Sequence, residues 1–470
     1  LGAGYLLFKG IVGMGGRKKL GAVGPLVLLA SAATVLNAPS SPAADLTVTS
    51  SRTTAADTAT GDGTGPGNII VQGEGNITVT APAAVTINSS HTVTNTGVIA
   101  NGQESGASGI LATTTANGVG TNLTSTISNR GTINVLGPAS VATANPELFN
   151  AAINVTGLGT FTGNVLNDTF TTGTGESALT TAGVINVGGR SSYGMAIRST
   201  VAGNVGNSGS ISFTGTDSFG IMTTGRITGN LTHSGTITGG EVNAVGIYAG
   251  GGVDGSIIIN GVTTLGTGSR LTTTNGINLI TLDPLPAKAG LWVAADVAQG
   301  VLMAGNGITL IDEALDPATA AITQPPDSAF NILGGGPGVL FQQGGPNGTL
   351  SNITVGVGPD NDGYSFKTRG NILVSGSVKG LAASGITVAG TSSGGTNYTT
   401  ILTGGIWNDK GSIQVATIDA QAVGVAIGNY GTVARFFNGG DLLVNSTDST
   451  TSALTGLAGT KGGNAYGVLV

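Results

Sequence analysis

The sequence predicts an all-β fold, a parallel β-helix: a solenoid of about 26-residue coils with three strands to each coil. Three observations carry the prediction. Glycines recur at a fixed step: Gly183, Gly209 and Gly235 are 26 residues apart, as are Gly194, Gly220 and Gly246, and Gly203, Gly229 and Gly255. Ile185, Ile211 and Ile237 keep that step, as do Val205, Leu231 and Ile257, and Gly261 extends the first series. Within each copy the apolar residues alternate, as in Ile185/Val187, Ile211/Phe213, Ile133/Val135 and Ile413/Val415. A period of two belongs to strands with one face turned inward. The composition agrees: 84 of 470 residues are Gly, only 9% are charged and 4% aromatic, and 39% are hydrophobic. An ordinary globular domain carries about 25% charged residues, and a disordered chain needs high net charge and few apolar residues.

Taken in chain order, residues 1–13 precede the first methionine and read as an upstream extension or a fragment edge. Residues 14–44 read as a secretory signal peptide: a basic patch at Arg17-Lys18-Lys19, an apolar run from Leu20 to Leu36, then small residues ending at Ala43-Ala44. An uncleaved anchor is the alternative, since 17 apolar residues reach the lower limit for spanning a bilayer. Residues 45–64 are expected to be a linker or N-terminal cap, and 65–279 to be β-helix coils. In this region "NTGVIANGQESGASGI" (95–110) and "NRGTINVLG" (129–137) carry a looser form of the repeat. Gly131 lies 52 residues before Gly183, which reads as two steps.

Segment 280–350 is expected to be an irregular, loop-rich insertion. The step is lost after Gly261, and prolines cluster at Pro284, Pro286, Pro325, Pro326 and Pro337, where they cannot donate to a central ladder. Short strands are expected there at "GVLM" and "GVLF". Coils resume over 351–470, with "TRGNILVSG" (368–376) and "DKGSIQVATIDAQAVGV" (409–425). Tyr466-Gly467-Val468 repeats the outline of Tyr193-Gly194-Met195, so the chain reads as incomplete at its C-terminus. Some fourteen coils at about 4.8 Å each would make a rod roughly 70 Å long.

Outside the glycines and inward aliphatics the letters drift. Ser191, Asp217, Asn243 and Gln421 share one position, which suits a turn. Tyr193, Phe219, Val245 and Val423 share another, which suits an aromatic or aliphatic stack.

A signal peptide followed by degenerate N-x-G-x-I-x-V coils, with no cysteine and few charges, resembles the passenger region of a type V autotransporter from a Gram-negative bacterium. Within the chain, "VAADVAQGVLMAGNGITLIDEALDPATAAITQ" and "GGGPGVLFQQG" (293–345) are similar to a segment of α-proteobacterial passengers. The resemblance covers about 45–470 and implies a right-handed coil and an outer-membrane β-barrel beyond this chain. It also implies export to the cell surface, outer membrane or medium, and a role in adhesion, biofilm or cell-surface structure. The implied partners are surface glycans, proteins of a host or neighbouring cell, and the protein's own barrel.

No residue is read as catalytic, cofactor-binding or metal-binding. The alternative function, a β-helical polysaccharide lyase or glycoside hydrolase, needs clustered carboxylates about 5–9 Å apart. Asp217 has Ser191 and Asn243 as register neighbours, and Asp254 has Ala202 and Thr228, so neither builds a carboxylate ladder. His91 and His233 are the two histidines; His233 precedes the Gly235 turn and reads as a solvated turn residue. Asp312, Glu313 and Asp316 lack the alternation of a calcium loop. Asp360-Asn361-Asp362-Gly363 reads as an Asp-Gly turn. "GDGTGPG" (61–67) lacks the lysine and the strand–helix context of a phosphate loop. Arg190, Arg198, Arg226 and Arg270 fall in different registers. A net charge of −6 gives no reason to expect nucleic acid, and the absence of cysteine rules out disulfide and thiolate chemistry.

Overall fold

Alternating aliphatics interrupted every few residues by Gly, Asn or Ser make strands too short to pair with their sequence neighbours, so they pair with equivalents one coil away. The computed structural model bears this out with three parallel sheets of 12 strands each. It describes residues 44–470 except 104, 137–148, 173–178, 267–269, 275–276, 282–286, 306–327, 347–349, 361, 377–379 and 448–462. All of the expected signal peptide but Ala44, and the acidic stretch Asp312, Glu313 and Asp316, lie outside the described residues. No helix among the described residues is long and apolar enough to cross a membrane.

The first sheet runs from Leu46–Val48 to Phe436–Asn438, the second from Ser51–Arg52 to Asp441–Thr447, and the third from Ala56–Asp57 to Ala465–Leu469. Residues 45–64, expected as a linker or cap, therefore already supply one strand to each sheet. Twelve coils make eleven steps of about 4.8 Å, roughly 50 Å of rod, shorter than the fourteen coils expected. Ile185, Ile211 and Ile237 are direct register partners in the second sheet, all buried. Val205, Leu231 and Ile257 form the corresponding column in the first. Each such side chain, fully buried, is worth about 1.5–3 kcal/mol, and each depends on the coils above and below to be covered.

The corner between the third and first sheets is itself a ladder. Short strands at Leu123–Thr124, Thr160–Thr162 and Thr200–Ala202 begin it, and Ile353–Val355, Thr400–Leu402 and Gly431–Val433 end it. Single bridges through Val201, Ile227, Val253, Val297 and Val355 join the two parts. Within 280–350, the strands Ala289–Val293, Val301–Met303, Ala329–Leu333 and Pro337–Phe341 take regular places in the three long sheets. Tyr466 pairs in register with Val423, so the last strand keeps the third-sheet pattern.

The 52-residue interval from Gly131 to Gly183 is one coil and not two, because Ile133 pairs directly with Ile185. An antiparallel hairpin, Thr169–Thr172 with Leu179–Ala182, is inserted at the corner between the first and second sheets. The chain leaves the coil at Asp168 and re-enters at Gly183, whose N–H donates to the Asp168 carbonyl at 2.7 Å. Excising 169–182 and joining Asp168 to Gly183 is expected to keep the β-sheet circular dichroism and the denaturation midpoint close to the parent's. Loss of the cooperative transition would show that the hairpin is needed to set the register.

Candidate functional site

The third sheet carries a second apolar cluster on its outer face. In most coils two successive residues face inward there, a Gly and then an aliphatic, as at Gly194-Met195 and Gly220-Ile221, with Ala84 and Ala152 in place of the Gly in two N-terminal coils, which turns the residues on either side outward. Tyr193, Ala196, Phe219, Met222, Val245, Tyr248 and Trp292 form the outer cluster. The stack expected at Tyr193, Phe219 and Val245 is therefore present, but on the outside. Tyr193 and Phe219 lie 5.6 Å apart with planes at 14°; Phe219 meets Tyr248 edge-on at 5.9 Å, and Tyr248 meets Trp292 at 5.2 Å. Arg198 sits 5.0 Å from the Tyr193 ring centre and donates to Asn154 Oδ1 at 2.9 Å. Burial lowers the Arg198 pKa from its usual range, with Tyr193 opposing the shift.

A glycine-rich turn closes over this cluster. Trp292 Nε1 donates to the Gln342 carbonyl and Tyr248 Oη to the Gly344 carbonyl, each at 2.8 Å. Gly345 has φ +90°, and a Cβ there would come within 2.5 Å of the Tyr248 ring, so no other residue fits against that face. Beside the turn lies a cleft of about 370 Å³ with Tyr193, Phe219, Val245 and Trp292 on its wall. Ser191, Asp217, Asn243 and Lys288 stand among its lining residues with Gly345 and Pro346. Ser191, Asp217 and Asn243 occupy the same turn position on successive coils, all left-handed with φ of 53°, 58° and 60°. Asn243 Nδ2 donates to Asp217 Oδ1 at 2.9 Å, and Arg190 pairs with Asp217 Oδ2 at 3.5 Å on the exposed rim. Lys288 is exposed, 5.4 Å from the Trp292 ring centre, and makes no ion pair with the described residues. A concave site of a few hundred Å³ with an apolar wall and a few placed polar groups is the usual form of a small-ligand site. Sequence reading singled out Ser191, Asp217, Asn243, Tyr193 and Phe219 for the turn and the stack, and missed Tyr248, Lys288 and Trp292.

His233 is not a solvated turn residue. It is 1% exposed, at the end of the first-sheet strand Leu231–His233. It terminates an internal column of amides: Asn95 Nδ2 donates to Asn129 Oδ1, Asn129 to Asn167 and Asn167 to Asn207, each at 2.7 Å. Asn207 Nδ2 then lies 3.1 Å from His233 Nδ1. Since Asn207 donates, Nδ1 accepts, and the network assigns the imidazole proton to Nε2, 3.4 Å from the Val262 carbonyl. Burial pulls the His233 pKa down to about 4. At Asn95, Asn129 and Asn207 the motif behind this column stands in the sequence as N-x-G, and at Asn167 the hairpin separates the Asn from Gly183.

Acidic residues collect at one more place. Lys367, 6% exposed, donates to Asp360 Oδ2 at 3.0 Å and Asp362 Oδ2 at 2.6 Å, with Asp409 Oδ2 at 3.6 Å. Arg369 Nε donates to Asp409 at 2.8 Å, and the Lys367 ammonium lies 4.4 Å from the Trp407 ring centre. Burial alone would lower the Lys367 pKa; the bonds to Asp362 and Asp360 outweigh it and hold it above its usual value. Of the turn expected at 360–363, Asn361 lies outside the described residues; Gly363 has φ +87° and Asp362 Oδ1 accepts from the Tyr364 N–H. Asp168 is likewise paired with Arg130, and Asp254 with Arg226. Among the described residues no group of three His, Asp or Glu side chains is placed to hold a metal ion.

No protein-family model matches the chain, and neither a curated protein nor a solved structure does. The fold class is that of a three-sheet parallel β-solenoid, with an aromatic-walled cleft on one face.

Proposed function

We propose that this chain is an exported passenger rod of autotransporter type, displayed at the cell surface and acting by binding, in adhesion, biofilm or cell-surface structure, without catalysis. The observation that carries the reading is the unbroken stack of 12 strands in each of three sheets. A scaffold of this kind fixes its backbone through inward residues and leaves its outward faces to vary, which suits contact with surfaces. The alternative, a polysaccharide lyase or hydrolase, needs carboxylates free to act on substrate. The densest described group, Asp360, Asp362 and Asp409, is instead engaged by Lys367 and Arg369. Purified protein on a glycan array, run beside a reducing-sugar and unsaturated-product assay on the bound glycans, tests the two readings. Retention without product formation is the expected result. Release of sugar, lost in Asp362→Asn, would overturn it in favour of the enzyme.

A further inference from the structure

We propose that the third-sheet cleft binds an acidic saccharide, with a sugar ring against the aromatic wall and the anionic group toward Lys288. The inference rests on the reading of the chain as a binding rod. The class of ligand follows from what the cleft offers. The backbone beneath it is committed, because Tyr193–Ile197, Phe219–Thr223 and Val245–Ala249 each hydrogen-bond to strands on both sides. An extended peptide therefore finds no strand edge to join, and recognition must come from side chains. Those side chains are the largely buried rings of Tyr193, Phe219 and Trp292, 4%, 7% and 8% exposed, beside a hydroxyl, an amide and a carboxylate repeated at one position per coil, about 4.8 Å apart. An amphipathic ring carrying several hydroxyls matches that pattern.

The sign of the charge follows from the ion pairs. Asp217 is held by Arg190 and by the Asn243 amide, while Lys288 has no carboxylate partner among the described residues. With Asp217 answered by Arg190, Lys288 is the one charged lining residue without an oppositely charged partner among the described residues, and its ammonium stands beside Trp292. No hydrogen bond among the described residues engages Ser191 Oγ, which lines the cleft and is open to a ligand hydroxyl.

The test uses a uronic-acid tetrasaccharide and its carboxyl-reduced counterpart, titrated against the whole protein and read by tryptophan fluorescence and calorimetry. The chain has two tryptophans, Trp292 and Trp407, and Trp407→Phe leaves the signal to the cleft. The acidic probe is expected to bind more tightly than the reduced one, with affinity falling as salt rises. Lys288→Met should cost about tenfold for the acidic probe and little for the reduced one, while Lys288→Arg retains binding. Unchanged thermal unfolding of Lys288→Met, an exposed position, shows that the fold is not what changed. Equal affinity for both probes overturns the acidic assignment and leaves the binding rod standing. Binding that is indifferent to Lys288→Met and Asn243→Ala together overturns the cleft as the site. Absence of binding to every glycan on the array overturns the saccharide assignment, while the rod reading falls separately, on release of sugar from a bound glycan.

Discussion

Gly220→Val is expected to lower the denaturation midpoint sharply, with the damage centred on the third sheet. A Cβ at Gly220 would lie 2.6 Å from the Gly246 carbonyl oxygen of the next coil and 2.6 Å from Ile237 Cγ2 of the second sheet. Neither atom can yield alone: the carbonyl belongs to the adjoining coil, and Ile237 is buried and clamped in its own column. Gly194 and Gly246 stand in the same column, each against the next coil's glycine carbonyl and a second-sheet methyl. Ala84 and Ala152 show that a single methyl is tolerated at this position in the N-terminal coils. Gly220→Ala should therefore cost little more than ordinary overpacking, about 1–3 kcal/mol. Valine adds two further methyls where no space remains, and its cost should exceed that range. Hydrogen exchange should report loss of protection in Tyr193–Ile197 and Val245–Ala249, the strands that flank it. Ser212→Ala, an outward position one coil-corner away, serves as control. A Gly220→Val midpoint equal to that of the control would mean that the glycine column does not set the sheet spacing.

The same glycines explain why the fold was legible in the sequence. Gly194, Gly220 and Gly246 recur because carbonyls and methyls of neighbouring coils close on them, and Gly209, Gly235 and Gly261 because each meets the backbone of the glycine one coil before. Geometry of this kind leaves a fixed letter at a fixed step. The insertions do not. The hairpin at Thr169–Ala182 supplies 14 of the 26 residues by which this coil exceeds one step, so the count of two steps between Gly131 and Gly183 failed although both glycines were rightly aligned.

The cleft was half legible for the same reason. Ser191, Asp217 and Asn243 keep the 26-residue step and a left-handed turn. Lys288 and Trp292 sit 44 residues beyond Ala244 and Tyr248, as the pairing of Tyr248 with Trp292 shows, and a fixed step cannot reach them. His233 was misread because its register mates looked like small turn residues. Those mates are asparagines whose amides turn inward to hydrogen-bond one another, and inward polar residues break the apolar alternation by which a buried strand is recognised.

Acid is expected to weaken the rod through that histidine. His233 Nδ1 accepts from Asn207, so a proton there would set two N–H donors face to face inside the core. Burial holds its pKa at about 4 in the folded protein, against roughly 6.5 in an unfolded chain. Between those values the unfolded state binds the proton and the folded state does not, so stability falls as pH falls. All of His233's contribution is present above pH 6.5, and below about pH 4 the loss levels off. The full shift corresponds to a loss on the order of 3 kcal/mol. His233→Asn would extend the column by one amide, since asparagine already fills this position at Asn95, Asn129, Asn167 and Asn207. Denaturation midpoints measured at pH 7, 5.5 and 4 should therefore separate the two proteins progressively as the pH drops. Carboxylate titration acts on both and cancels in the comparison. Parallel pH profiles would mean that His233 takes up its proton at the same pH in the folded and unfolded states, and that burial beside Asn207 does not penalise the imidazolium.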